Sequence, residues 1–147
     1  MEKTADKSKE LNTSIRLVND KLNFKGFAGN NEPVSIDYFP PLGDNAGYTS
    51  LEMLLLSLSS CMGSAILTFL RKMKKSIYGC EIVARGIRRE EHPTGFQTIL
   101  IEINLKSPDI KKDDLDRVIK LAEETYCPVW SMLKGNVEIE VKHNIIS

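Results

Sequence analysis

The chain has no excess of either charge: 20 lysines and arginines stand against 20 aspartates and glutamates in 147 residues. That removes the global argument for a nucleic-acid or membrane partner, and neither is expected. Histidine is scarce, with His92 and His143 far apart, and no Cys-x-x-Cys pair occurs. No spacing suits a metal centre, so no metal and no cofactor are expected. Cysteine is limited to Cys61, Cys80 and Cys127. This odd count follows a charged stretch, residues 1–10, that lacks the apolar core of a secretory signal. Both features argue against a disulfide scaffold and for a reducing, cytoplasmic setting.

What is present is the composition of one soluble globular domain, 41% hydrophobic and 27% charged. Residues 1–11 are polar and read as a flexible tail, leaving a single domain over 12–147. Strands are expected at 14–18, 21–27 and 34–39, with Asn19-Asp20 and Asn30-Asn31-Glu32-Pro33 as turns. The apolar run 51–70 is near bilayer-spanning length. Its interior Glu52, Ser57, Ser59, Ser60, Ser64 and Thr68 read better as a buried core helix reaching about Lys74. Thr49 or Ser50 is its expected N-cap. A hairpin follows, 77–90 and 96–105, in which Ile99, Ile101, Ile103 and Leu105 alternate. Arg85, Arg88 and Arg89 lie on its first strand without interleaved aromatics and read as solvated. A second helix is expected over 112–126, with Leu115, Val118, Ile119 and Ala122 on one face. A last strand is expected over 137–145. The order β-β-β-α-β-β-α-β, with strands grouped between helices, predicts an α+β fold.

Two cysteines stand in unusual contexts. On a helix Cys61 shares a face with Ser57, Leu58, Ser64 and Ala65, a small and mildly polar seam rather than an aliphatic cage. Cys127-Pro128 reads as the N-cap and first residue of a short helix to about Leu133. A thiol there lies at the positive end of the helix dipole, which lowers its pKa. Tyr126 and Trp130 flank it and can wall an apolar pocket. Cys80, on the first hairpin strand, alternates with Ile82 and Ala84 and reads as a sheet-face residue. Glu52 is the one acid of the long helix and suits its first turn by the dipole alone.

The run from Leu51 through Leu56 to Ser60-Cys61, the segment Cys127-Pro128-Val129 with Gly135, and the hairpin from Glu91 to Phe96 resemble the OsmC/Ohr family. These are the osmotically inducible and organic hydroperoxide resistance proteins, and the general OsmC-like branch fits best. The resemblance covers about residues 12–145. It implies an intertwined homodimer around two long helices, with active sites at the subunit interface, and thiol peroxidase chemistry on organic hydroperoxides in oxidative-stress defence. Cys61 would attack the peroxide, Cys127 would resolve the sulfenic acid, and a dithiol reductant would regenerate the pair. Glu52 is the candidate for the family's activating carboxylate. It stands one position later than in the peroxidases, where this chain has Leu51, and nine residues before Cys61, half a turn away on a regular helix. The family's Gly-Gly-Arg-like context is missing; Arg16, the one arginine of the first strands, does not match it. A member of the same fold that binds a small apolar or thiol ligand without peroxidase activity is the alternative, and a structural or regulatory protein with inert cysteines is the third.

Overall fold

The computed structural model describes residues 9–147; most of the expected tail, 1–8, lies outside them. The chain divides into two compact units, the first ending at Met53 and the second running Leu54–Ser147.

The first unit is a three-stranded antiparallel sheet in the order β1 (Ser14–Leu17), β2 (Phe24–Phe27), β3 (Val34–Ile36). Strand β2 begins three residues later than expected. The side-chain oxygen of Asn19 accepts the backbone N–H groups of Lys21 and Asn23, at 3.0 and 3.1 Å, and curls that segment into a turn. Alternation makes the sheet two-faced. The register opposes Ile15 to Gly26 and Gly26 to Val34, and Leu17 to Phe24 and Phe24 to Ile36, which gathers the apolar side chains on one face. On the other face the Arg16 guanidinium lies 4.8 Å over the Phe27 ring, and Lys25 donates to Ser35.

Strand β3 stops at Ile36 because Asp37 takes over the local hydrogen bonding. This carboxylate is fully buried. It accepts the backbone N–H groups of Tyr38 at 2.7 Å, Ala46 at 3.0 Å and Asp44 at 3.2 Å. Burial alone would raise its pKa; these three donors, with Lys21, outweigh burial and hold it below the ordinary carboxylate value. Gly43 is required in the loop, since an added Cβ would lie 2.2 Å from the Asp37 Oδ1.

Helix α1 (Ser50–Lys72) starts in the first unit and continues into the second. Thr49 is its cap, as one of the two expected residues. The Thr49 backbone N–H donates to Glu52 at 2.8 Å and the Glu52 N–H donates to the Thr49 hydroxyl at 3.2 Å, a reciprocal capping box. The helix is long and apolar enough to cross a bilayer by length and composition. Its Leu58, Met62, Ile66 and Leu70, spaced one turn apart, are instead buried at the centre of the second unit's core.

That core rests on a second sheet, β4 (Gly79–Arg88), β5 (Phe96–Lys106) and β6 (Glu138–Ile146), with β5 in the middle. Strand β4 is antiparallel to β5 and β6 is parallel to it. The alternating Ile99, Ile101, Ile103 and Leu105 of β5 are buried, as expected from their period of two. Leu115, Val118 and Ile119 of α2 (Lys112–Leu121) close the core from a second helix. Burial of each such side chain contributes about 1.5–3 kcal/mol. Gly63 marks the close approach of α1 to the sheet: a Cβ there would stand 2.9 Å from the Ile82 Cδ1.

Arg85, Arg88 and Arg89 are exposed, as expected, and the Arg88 Nε donates to the Thr94 carbonyl at 2.7 Å while Arg89 donates to the Pro93 carbonyl at 3.2 Å, closing the loop. Two expectations are revised. The helix expected over 112–126 ends at Leu121 and continues as a π-helical turn, Ala122–Tyr126. The α1 helix stops at Lys72, since Lys74 adopts a left-handed conformation, φ 62°. The α+β order stands, with the short helix α3 (Pro128–Leu133) before β6.

Candidate functional site

Cys61 sits on the side of α1 turned partly away from the core stripe, and it is half-buried. Cys127 arrives from the opposite end of the second unit's sequence and is buried. Its position follows from the π turn. The Cys127 N–H donates to the Ala122 carbonyl at 2.9 Å, a bond five residues back, and the backbone then leaves the helix at φ −100°, ψ 102°. Pro128 restarts a helix at once, so Cys127 becomes the N-cap of α3 as expected, and its Sγ accepts the Trp130 N–H at 3.3 Å.

The Cys127 thiol is pushed up to about 11. Burial is the main cause, and the neighbouring Cys61 thiol adds to the rise. The Trp130 and Val129 N–H groups of the α3 terminus act in the other direction and lose. The helix-terminus effect expected from the sequence is present, but desolvation is larger. Cys127 is therefore a neutral thiol across the physiological range, next to a more accessible Cys61.

The other candidate residues lie elsewhere. The Glu52 carboxylate is engaged by the Thr49 N–H. Cys80 is exposed on β4, and burial of part of its surface raises its pKa. Together with Arg71 and Ile82 it borders an open groove of about 520 Å³ whose α1 side carries Ser59, Ser60, Gly63, Ser64 and Thr68. Cys61 is not among the residues lining that groove.

The two aromatics that flank Cys127 in sequence differ in their surroundings. Trp130 is half-buried against the core. Tyr126 is 53% exposed and leans on Phe69 of α1, ring centroids 4.7 Å apart and planes 55° apart. Glu123, on the π turn, is half-buried, and burial followed by the Glu124 charge raises its pKa. Phe69, Glu123 and the π turn itself carried no sequence signal, because each owes its place to packing between α1 and the segment leading into Cys127.

Residues 43–142 match the family model described as OsmC-like protein. Protein YhfA of Escherichia coli strain K12 is 29% identical over 105 residues, 71% of this chain and 78% of that protein. A hypothetical protein from Aquifex aeolicus VF5 superposes with a TM-score of 0.81 at 22% identity, covering 94% of this chain and 97% of that one. The organic hydroperoxide resistance protein OhrB of Bacillus subtilis superposes with a TM-score of 0.64 at 16% identity, covering 92% and 98%. The chain belongs to the OsmC-like family and has its α+β fold.

Proposed function

We propose that this OsmC-like protein is a thiol-dependent peroxidase acting on organic hydroperoxides through Cys61 and Cys127. The observation that carries the reading is the pairing of a half-buried thiol on α1 with a buried, neutral thiol brought from α3 to its side. The two have unequal access to solvent, which suits unequal roles. The Cys61 thiolate attacks the outer peroxide oxygen and the O–O bond breaks. The alkoxide takes a proton and leaves as the alcohol, and Cys61 becomes a sulfenic acid. The Cys127 sulfur, losing its proton, then displaces water and forms the Cys61–Cys127 disulfide. A dithiol reductant returns both thiols, becoming a disulfide itself. Glu52 serves this scheme by fixing the start of the helix that carries Cys61. A cytoplasmic location keeps the pair reduced between turnovers.

A homodimer belongs to the same proposal. In the first unit Ile15, Leu17 and Val34 are 60%, 50% and 42% exposed on one sheet face. A second copy of the chain covering that face removes an apolar surface that costs free energy in water.

The alternative, a ligand-binding member without peroxidase activity, is favoured by one observation: the Glu52 carboxylate is committed to the cap, and the arginine of the family's peroxidases has no counterpart in context here. The experiment that separates the two counts free thiols in the reduced protein during titration with cumene hydroperoxide and maps any disulfide by mass spectrometry. Loss of two thiols into a Cys61–Cys127 bond, abolished by Cys61→Ser, is the expected result. Survival of both thiols in excess peroxide would overturn the peroxidase reading and leave the alternative.

A further inference from the structure

The π turn that delivers Cys127 is not held by its own polar side chains. Glu123 and Glu124 stand side by side on it, and burial followed by the Glu124 charge raises the Glu123 pKa. Both effects oppose the turn when the carboxylates are ionised. The Lys120–Glu124 pair is 4.0 Å long with both side chains exposed, and contributes little. The turn closes with the Cys127 N–H donating to the Ala122 carbonyl, five residues back. An α-helical register would send that N–H to the Glu123 carbonyl instead. It would swing the thiol by about 100° and shift it by about 1.5 Å, the step of one helical residue. Cys127 would then leave Cys61, its neighbour in the structure.

Two apolar anchors hold the turn in place of polar ones. At its start Ala122 is fully buried in the core. At its end the Tyr126 ring meets Phe69 of α1, centroids 4.7 Å and planes 55° apart, a tilted arrangement that aromatic pairs favour. Cys61, Ala65 and Phe69 recur every four residues, so they share one side of α1, and all three are half-buried. The Tyr126 ring thus docks the end of the turn on the side of the helix that carries Cys61. Tyr126 is 53% exposed, so it gives the core little, and the contact with Phe69 is its main attachment.

We propose that Tyr126 is a positioning residue: its ring, seated on Phe69, locks the π turn in the register that holds Cys127 beside Cys61. The proposal rests on the thiol-pair reading above and adds the residue that keeps the second thiol within reach of the first. Tyr126 acts through the backbone of the turn and not on the reacting atoms.

The test measures how strongly the fold favours the Cys61–Cys127 bond, with no peroxide present. Reduced protein carrying Cys80→Ser, which removes the exposed third thiol, is equilibrated in glutathione buffers. One glutathione disulfide oxidises the pair and leaves as two glutathione thiols, which carry off the two protons. Mass spectrometry after acid quenching gives the bonded fraction, and its equilibrium constant reports the effective concentration of one thiol at the other. Tyr126→Ala is expected to lower that constant roughly threefold to tenfold, the contribution of one aromatic pair. Tyr126→Phe, which keeps the ring, is expected to leave it at the parental value. Phe69→Leu is expected to lower it as Tyr126→Ala does, and the double variant to fall no further, because the two rings form one contact. A urea midpoint of reduced Tyr126→Ala near the parental one shows that placement, not folding, has changed. An unchanged constant in Tyr126→Ala, a fall in Tyr126→Phe, or additive losses in the double variant would overturn the inference. If the constant falls as expected in a protein whose thiols survive cumene hydroperoxide, Tyr126 keeps its role and the peroxidase reading alone fails.

Discussion

The two units of the chain solve the problem of burial in opposite ways. In the second unit the apolar residues that alternate along β5 and recur along α1 and α2 end up inside, with Leu58, Met62, Ile99, Ile103, Leu105 and Leu115 at zero exposure. In the first unit, over residues 9–53, the one side chain of any size that is fully buried is the carboxylate of Asp37, while Ile15, Leu17, Val34, Phe39 and Leu42 remain exposed. Both units carry well-patterned strands, so patterning alone does not bury a face. The second sheet has helices to meet its apolar side. The first is held by polar detail: a buried aspartate, an asparagine turn and a helix cap. A hydrophobic face met by a second layer is the general source of a domain's stability.

The largest effect that separates the units is expected from cavity formation. Ile103→Ala, on β5, should lower the unfolding free energy by about 2–5 kcal/mol, measured by urea denaturation. The matching Ile15→Ala in the first unit should cost far less in dilute protein and should instead weaken self-association in sedimentation. Equal costs would erase the contrast. Gly63→Val comes next. A branched side chain forced toward the Ile82 methyl should destabilise by about 1–3 kcal/mol, with the loss partly recovered in the Gly63→Val, Ile82→Ala double variant. Thr49→Ala removes the cap of α1 and should cost about 1 kcal/mol.

The pH dependence sharpens the comparison further, because the two units titrate at opposite ends. Asp37 has a folded pKa below its ordinary 3.8, so its contribution is full above that value and is lost as pH falls through the folded pKa. Asp37→Asn should flatten the acid limb of a melting-temperature profile. Cys127 has a folded pKa of about 11, above the ordinary 9.0. Its contribution is full below 9 and is lost as pH rises toward 11. Cys127→Ser should flatten the alkaline limb, a smaller change at neutral pH than any of the others. In the same window iodoacetamide should label Cys61 before Cys127, followed by mass spectrometry; faster labelling of Cys127 would contradict its burial and neutrality.

Much of the fold was readable from local signals. A Thr-x-x-Glu pair before an apolar run announces the start of α1, and Ile99-x-Ile101-x-Ile103-x-Leu105 announces a strand with one buried face. Cys-Pro announces the cap of α3. Each depends on neighbours within one turn or one pleat, and such interactions are written in consecutive residues. The strands of the first unit are shorter than their patterns predict because Asn19 and Asp37 divert the backbone N–H groups of their neighbours into turns. The π turn has no local signature, because an extra residue in a helix leaves the apolar period of Leu115, Val118, Ile119 and Ala122 intact up to the point where it occurs.

The candidate site divides along the same line. That Cys61 lies on a helix seam and Cys127 at a helix terminus was decided by the sequence, through helical periodicity and the conformational demand of proline. That the thiols are neighbours, that burial overrules the helix dipole at Cys127, and that Phe69 of α1 meets Tyr126 were decided by tertiary structure alone. Proximity between residues 66 positions apart, and the solvent excluded when they meet, are properties of packing between elements, and no local rule contains them.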